Sequence, residues 1–132
     1  MQRSSIFMLL INVMLGSIGQ ILIKKGADKL HAVHSGQGFL ASMFNAFQGI
    51  FTPLVFLGFC VYALSSVLWI RILSTPGMKL SFAYPTISLS YVVVVILSAV
   101  FLKESVPWIA AAGLLLICGG VSLIGIGYGA IK

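Results

Sequence analysis

The chain has 132 residues, 60% hydrophobic and 8% charged, with a mean hydropathy of +1.14. A soluble domain carries about 25% charged residues, so this chain lacks the charge to cover a water-facing surface, and lipid is the solvent that fits. The net charge of +6 comes from eight Lys/Arg against Asp28 and Glu104, and cations standing singly at the ends of apolar runs anchor to headgroups, which speaks against a nucleic-acid partner.

About 20 helical residues cross the hydrocarbon. The expected fold is therefore an all-α membrane protein, one domain over residues 1–132. Its four transmembrane helices are expected at about 4–23, 54–73, 79–102 and 108–127, with an amphipathic interfacial helix at about 36–51 between the first and second.

The first run, Ser4 to Ile23, is preceded by Arg3. Lys24-Lys25 follows it in place of a small-residue cleavage site, so it reads as a membrane helix and not as a secretory leader. At about 100° per residue, Ser5, Asn12, Gly16, Gly19 and Gln20 fall on one side. A polar and small stripe of this kind faces protein or a cavity. Two compatible uses follow. The glycines allow close packing with Asn12 and Gln20 bonding between helices, or the stripe is one wall of a polar pathway.

The connection from Lys24 to Thr52 is the longest. Its first half holds Lys24, Lys25, Asp28, Lys29, His31 and His34. The two histidines lack the further Cys or carboxylate ligands of a metal site, so no metal or other cofactor is expected. In its second half Phe39, Leu40, Met43, Phe44, Phe47, Ile50 and Phe51 recur at helical spacing, opposite Gln37, Ser42, Asn45 and Gln48. This nearly uncharged helix is too short to span and belongs in the interface plane. It either covers the ends of the spans or guides a lipid chain toward the pathway.

Pro53 opens the second span, where its missing N–H costs least. Tyr62, Ser65, Ser66 and Trp69 give that span a polar side, and Arg71 stands near its end. Cys60 and Cys118 form no CxxC pair and read as small buried hydrophobes. The breaker Ser74-Thr75-Pro76-Gly77 joins spans two and three as a tight antiparallel hairpin.

Span three starts at Lys79 and carries Ser81, Tyr84, Ser88 and Tyr91 at i, i+3, i+7 and i+10. Pro85 withdraws the usual donor from the Ser81 carbonyl and is expected to kink the helix. Hydroxyls at membrane depth persist where protein or water satisfies them. They are either back-bonded within a kinked helix or lining a cavity; two Tyr and two Ser on one face favour the cavity. Lys103-Glu104-Ser105 forms a short polar turn, and Pro107-Trp108 opens span four with Trp108 as an interface anchor. Span four has Gly113, Gly120 and Gly127 at sevenfold spacing and no polar wall, a pattern for close packing between subunits. Arg3, Arg71, Lys79 and Lys132 balance Lys24, Lys25, Lys29 and Lys103 across the membrane, so the positive-inside rule sets no orientation. An antiparallel pair of identical chains would show the same balance.

Several segments together resemble the drug/metabolite transporter superfamily. They are Gly19-Gln20-Ile21-Leu22-Ile23-Lys24-Lys25-Gly26, the Trp69 region, Ser81-Phe82-Ala83-Tyr84-Pro85, and Phe101-Leu102-Lys103-Glu104-Ser105-Val106. The resemblance covers essentially the whole chain. It is nearest to small EamA-like members such as the aminoarabinose-phosphoundecaprenol flippase subunits, and next to the small multidrug resistance exporters. It implies four-helix protomers that pair, commonly through the fourth helix, as homo- or heterodimers in the bacterial inner membrane. Multidrug members carry a Glu in the middle of span one that binds proton and cation in turn. Here Asn12 and Gln20 stand in that span with no acid, while Glu104 reads as a helix-end residue. An uncharged or anionic headgroup suits such a span better than an organic cation.

The expected function is a flippase for a polyprenyl-phosphate-linked sugar, with no covalent chemistry. Lys24, Lys25, Arg71 and Lys79 would attract the phosphate. Asn12, Gln20, Tyr84 and Tyr91, with Ser81, Ser88 and Trp69, would pass the sugar. A multidrug-type cation exporter using Glu104, or a non-transporting subunit of a glycosyltransferase or transporter complex, are the rival expectations.

Overall fold

On the first helix, α1 (Arg3–His34), Phe7, Leu10, Ile11, Met14 and Ile18 are exposed, whereas Ser5, Asn12 and Ser17 are buried. A protein in water would reverse this arrangement. Apolar side chains turned outward and polar ones turned inward mark a surrounding of lipid, where polar groups must find partners within the protein. The computed structural model describes residues 3–34 and 38–129. Lys132 and the side chains of Arg3, His31 and His34 lie outside the described residues, as does the expected start of the interfacial helix at Gly36.

After α1 come α2 (Phe39–Gly49), α3 (Pro53–Leu73), α4 (Leu80–Ile87), α5 (Leu89–Leu97), a π-helical turn over Ser98–Leu102, and α6 (Trp108–Gly127). No strand occurs among the described residues. Four stretches are long and apolar enough to cross a membrane: Ser4–Leu30, Pro53–Leu73, Leu80–Leu102 and Trp108–Gly127. The short α2 lies between the first and second of them. Its Phe39, Leu40, Met43, Phe44 and Phe47 are exposed, while Gly49 is buried beneath Leu30 of α1.

The first helix runs on past Ile23, where hydropathy alone would stop it. Lys24, Lys25, Ala27, Asp28 and Lys29 are polar or small and none breaks a helix. The poor helix former between them, Gly26, is packed so closely on α3 that a Cβ there would lie 3.1 Å from the Val55 backbone nitrogen. Lys24 and Asp28 close an i,i+4 ion pair of 2.6 Å on this extension. What reads as the wet half of a loop is thus a helical extension.

The most extensive helix pair is α1 with α3. Its reason is glycine. A Cβ built on Gly58 would lie 2.9 Å from the Gly19 carbonyl oxygen, and one on Gly19 would lie 3.0 Å from the Gly58 carbonyl oxygen. With no side chains between them, the two backbones touch. Pro53 sits in the first turn of α3, and the Thr52 hydroxyl caps the end of α2 by donating to the Gly49 carbonyl at 2.7 Å. Cys60 is exposed on α3 rather than buried, and Cys118 on α6 is half-buried; both are free thiols. In lipid an outward thiol costs little.

At the other end of α3, Ser74 and Thr75 donate to the Arg71 carbonyl at 2.9 and 3.2 Å. Gly77 then takes φ +81, and the chain reverses into α4. Leu9, Ile72 and Phe82 form the buried core beside this turn, with Trp69, Met78 and Ile124 packed on it.

The third span is interrupted at Ser88, three residues beyond Pro85 and not at the proline itself. The Ser88 hydroxyl and its own N–H both donate to the Pro85 carbonyl, at 2.5 and 3.1 Å. That carbonyl is the one Leu89 N–H would use in an unbroken helix, so the side chain competes with the backbone. The span ends in the π-helical turn, and Lys103 closes it in the left-handed region with φ 57 and ψ 32.

Candidate functional site

A cavity of about 200 Å³ opens between α1, α3 and the α4–α5 span. Helix α1 contributes Asn12, Gly16 and Gln20, α3 contributes Ser65 and Trp69, and Tyr84 and Ser90 come from α4 and α5. The floor is a hydrogen bond: the buried Ser65 hydroxyl donates to the Asn12 side-chain oxygen at 2.9 Å, and it lies 3.3 Å from the Asn12 backbone carbonyl. Gly16 keeps this floor open, because a Cβ there would sit 3.2 Å from the Ser65 hydroxyl oxygen.

One wall is aromatic. The Trp69 and Tyr84 rings meet edge to face, with centroids 5.5 Å apart and planes at 90°, a favoured arrangement of ring quadrupoles. Tyr84 remains 55% exposed, so its ring can meet a ligand entering from the side. Opposite, the buried Ser17 hydroxyl donates to the Val13 carbonyl at 2.7 Å and approaches the Ser90 carbonyl at 3.4 Å, tying α1 to α5. Tyr62 and Ser66 complete the rim on α3, where Ser66 donates back to the Tyr62 carbonyl at 3.1 Å. The lining offers amide, hydroxyl and indole groups, with no carboxylate and no Lys or Arg among the described residues. It can hold hydroxyls and an amine by hydrogen bonds and ring contact. It offers no buried counter-charge for an isolated cation.

Of the residues expected at the site, Asn12, Gln20, Trp69 and Tyr84 come together in this cleft. The other expected members do not line it. Ser81 is turned to α6, where its hydroxyl shares a 2.6 Å hydrogen bond with the Tyr128 phenol. Ser88 is used up on the Pro85 carbonyl, and Tyr91 is exposed beyond the interruption. The face drawn through Ser81, Tyr84, Ser88 and Tyr91 assumes one unbroken helix, and the break at Ser88 divides it. Lys24 and Lys25 lie on the exposed extension of α1, and Arg71 is exposed in the last turn of α3. Glu104 is exposed past the π-helical turn, its N–H bonded to the Ser98 carbonyl at 3.4 Å. Lys79 lines a different cavity, near the α3–α4 turn.

Ser90 and Tyr128 escape a reading of the sequence. Ser90 lines the cleft just past the interruption at Ser88, and its backbone carbonyl lies 3.4 Å from the Ser17 hydroxyl. Tyr128 stands past the last apolar run with no pattern around it.

The chain is 34% identical over 115 residues to the probable 4-amino-4-deoxy-L-arabinose-phosphoundecaprenol flippase subunit ArnF of Proteus mirabilis, a match covering 86% of this chain and 85% of that protein. A protein of the same name from Erwinia tasmaniensis is 37% identical over 116 residues, covering 86% of this chain and 87% of that one. Its namesake in Photorhabdus laumondii is 33% identical over 117 residues, covering 87% and 91%. No protein-family model and no solved structure matches the chain.

Proposed function

The chain belongs to the family of 4-amino-4-deoxy-L-arabinose-phosphoundecaprenol flippase subunits, and on that premise we propose that it carries a polyprenyl-phosphate-linked aminosugar, or a close chemical relative, between leaflets. It is a multi-pass protein of the bacterial inner membrane. The observation that carries the substrate reading is the cleft: a polar, acid-free lining within the apolar bundle, with one aromatic wall. A headgroup with an amine and a phosphate supplies its own counter-charge, so it needs no buried carboxylate. Asn12 and Gln20 would exchange hydrogen bonds with sugar hydroxyls, and the Trp69–Tyr84 wall would take the sugar's apolar face or its ammonium. The polyprenyl tail would stay in lipid. A multidrug-type exporter gains no support, because Glu104 lies outside this cleft.

The chain is proposed to work as one subunit of a pair. The cleft of about 200 Å³ falls short of the roughly 300–1,000 Å³ of ordinary ligand sites, and a second protomer would complete it. On α6, Gly113, Gly119 and Gly120 have no neighbour within 4 Å, which leaves a small-residue face for that contact.

The test is reconstitution in vesicles with the sugar-linked polyprenyl phosphate, alone and with a co-expressed partner subunit, following its sidedness. Faster leaflet exchange than in empty vesicles is expected. Exchange no faster than in empty vesicles under both conditions would end the flippase reading.

A further inference from the structure

We propose that the cavity at the α3–α4 turn is a second binding site, one that holds a lipid-borne phosphate apart from the sugar cleft. The two cavities share no lining residue, and this one is the larger at about 300 Å³. Ser5, Thr75, Gly77, Lys79, Phe82 and Tyr128 lie around it.

Charge is the first reason. The Lys79 ammonium lies 5.5 Å from the centre of the Tyr128 ring and has no carboxylate partner among the described residues. Asp28 is engaged by Lys24, and Glu104 follows the turn that ends the third span. A cation whose described charged-group contact is only an aromatic face still seeks an anion.

The second reason is backbone. Lys79 caps α4 in an extended conformation, with φ −99 and ψ 133. Its carbonyl accepts from the Phe82 and Ala83 N–H groups, each at 3.0 Å. The N–H groups that precede them in the first turn have no helical acceptor, and they add positive potential beside the ammonium.

The third reason is Ser5, which comes from a different helix. It is 3% exposed and lines the cavity, and its hydroxyl makes no hydrogen bond among the described residues. Its hydroxyl oxygen is not among the buried orphans, so it opens onto the cavity, where it can donate to an acceptor. The Tyr128 ring is fixed by the Ser81 hydrogen bond of 2.6 Å and by edge contact with Phe82, centroids 6.0 Å apart. Ammonium, hydroxyl and helix N–H groups together suit phosphate oxygens.

The assignment of that phosphate to the transported lipid rests on the proposed function; the site itself does not. The experiment uses the full chain in nanodiscs of zwitterionic lipid. Undecaprenyl phosphate without sugar, phosphatidylglycerol and inorganic phosphate are titrated against wild type, Lys79→Gln, Lys79→Arg and Ser5→Ala, with unfolding midpoints recorded for each.

Saturable binding of undecaprenyl phosphate is expected, weakened about tenfold in Lys79→Gln, the loss of one charge-assisted hydrogen bond. Lys79→Arg should keep the binding, and Ser5→Ala should weaken it about threefold, as the loss of a neutral hydrogen bond does. Displacement by inorganic phosphate would assign the site to the phosphate group alone, and displacement by phosphatidylglycerol only to lipid phosphates; either supports it. Equal affinity in wild type and a folded Lys79→Gln overturns it. Sugar-lipid exchange measured on the same proteins separates the two readings. Exchange with Lys79-independent binding removes only this site, and Lys79-dependent binding without exchange removes only the flippase reading.

Discussion

Ser65 on α3 donates its hydroxyl proton to the side-chain oxygen of Asn12 on α1, at 2.9 Å and with both residues buried. The bond joins the two helices at the floor of the cleft. Interhelical hydrogen bonds in membranes are worth about 0.6 kcal/mol on average. A double-mutant cycle of Asn12→Ala and Ser65→Ala, read by unfolding in mixed micelles, should return a coupling near that size. Strict additivity would mean that the two side chains do not meet.

The α1–α3 contact should be intolerant of one methyl group. A Cβ on Gly58 would fall 2.8 Å from the Ile23 backbone nitrogen and 2.9 Å from the Gly19 carbonyl oxygen. Backbone atoms yield only if the helices part, so Gly58→Ala should destabilise by about 1–3 kcal/mol, the usual cost of overpacking. Gly119→Ala, with nothing within 4 Å, should leave the unfolding of the isolated chain unchanged. Its effect should appear in the dimer fraction measured by light scattering.

Tyr84 separates ring from hydroxyl. Tyr84→Phe keeps the edge-to-face contact with Trp69 and removes only the phenol group. If that group bonds the passing headgroup, exchange in vesicles should slow about tenfold with little change in stability. Trp69→Ala should lower both, because Trp69 also packs on the Leu9, Ile72 and Phe82 core. Unchanged exchange in Tyr84→Phe would assign the ring to packing.

Lys24 and Asp28 form a close pair that is half-exposed on both sides, 52% and 52%. Exposed pairs of this kind seldom contribute measurably. Lys24→Ala should therefore leave the unfolding midpoint unchanged, and the same holds for headgroup exchange, because the pair lies outside both cavities.

The number of spans and the short helix between the first two were legible because lipid imposes a length on each apolar run. The end of α1 was not. Hydropathy marks where lipid stops, whereas a helix stops where a breaker or an unmet cap stops it; Lys24 to Lys29 contain no proline, and Gly26 is packed against Val55 of α3. Asn12, Gln20, Trp69 and Tyr84 stood out because a polar group in an apolar run requires a protein partner. Ser90 did not, since an unbroken helix would place it about 240° around from Tyr84. It lines the cleft beside its backbone carbonyl, which a side-chain pattern does not register. Tyr128 becomes meaningful only through Ser81 and Lys79, contacts made across 47 residues or more of chain.

A lining with no carboxylate, histidine or lysine lacks the side chains that usually relay protons through a membrane. The cleft lining of Asn12, Gln20, Tyr62, Ser65, Ser66, Trp69, Tyr84 and Ser90 is of that kind among the described residues. If the sugar-linked lipid passes through it as proposed, the lipid's own abundance in the two leaflets is the gradient on which it would move. A reaction that makes the sugar-linked lipid on one side would then be the reservoir, and one that removes the sugar on the other the sink. The direction of travel would belong to those two enzymes, and this chain would set only the speed.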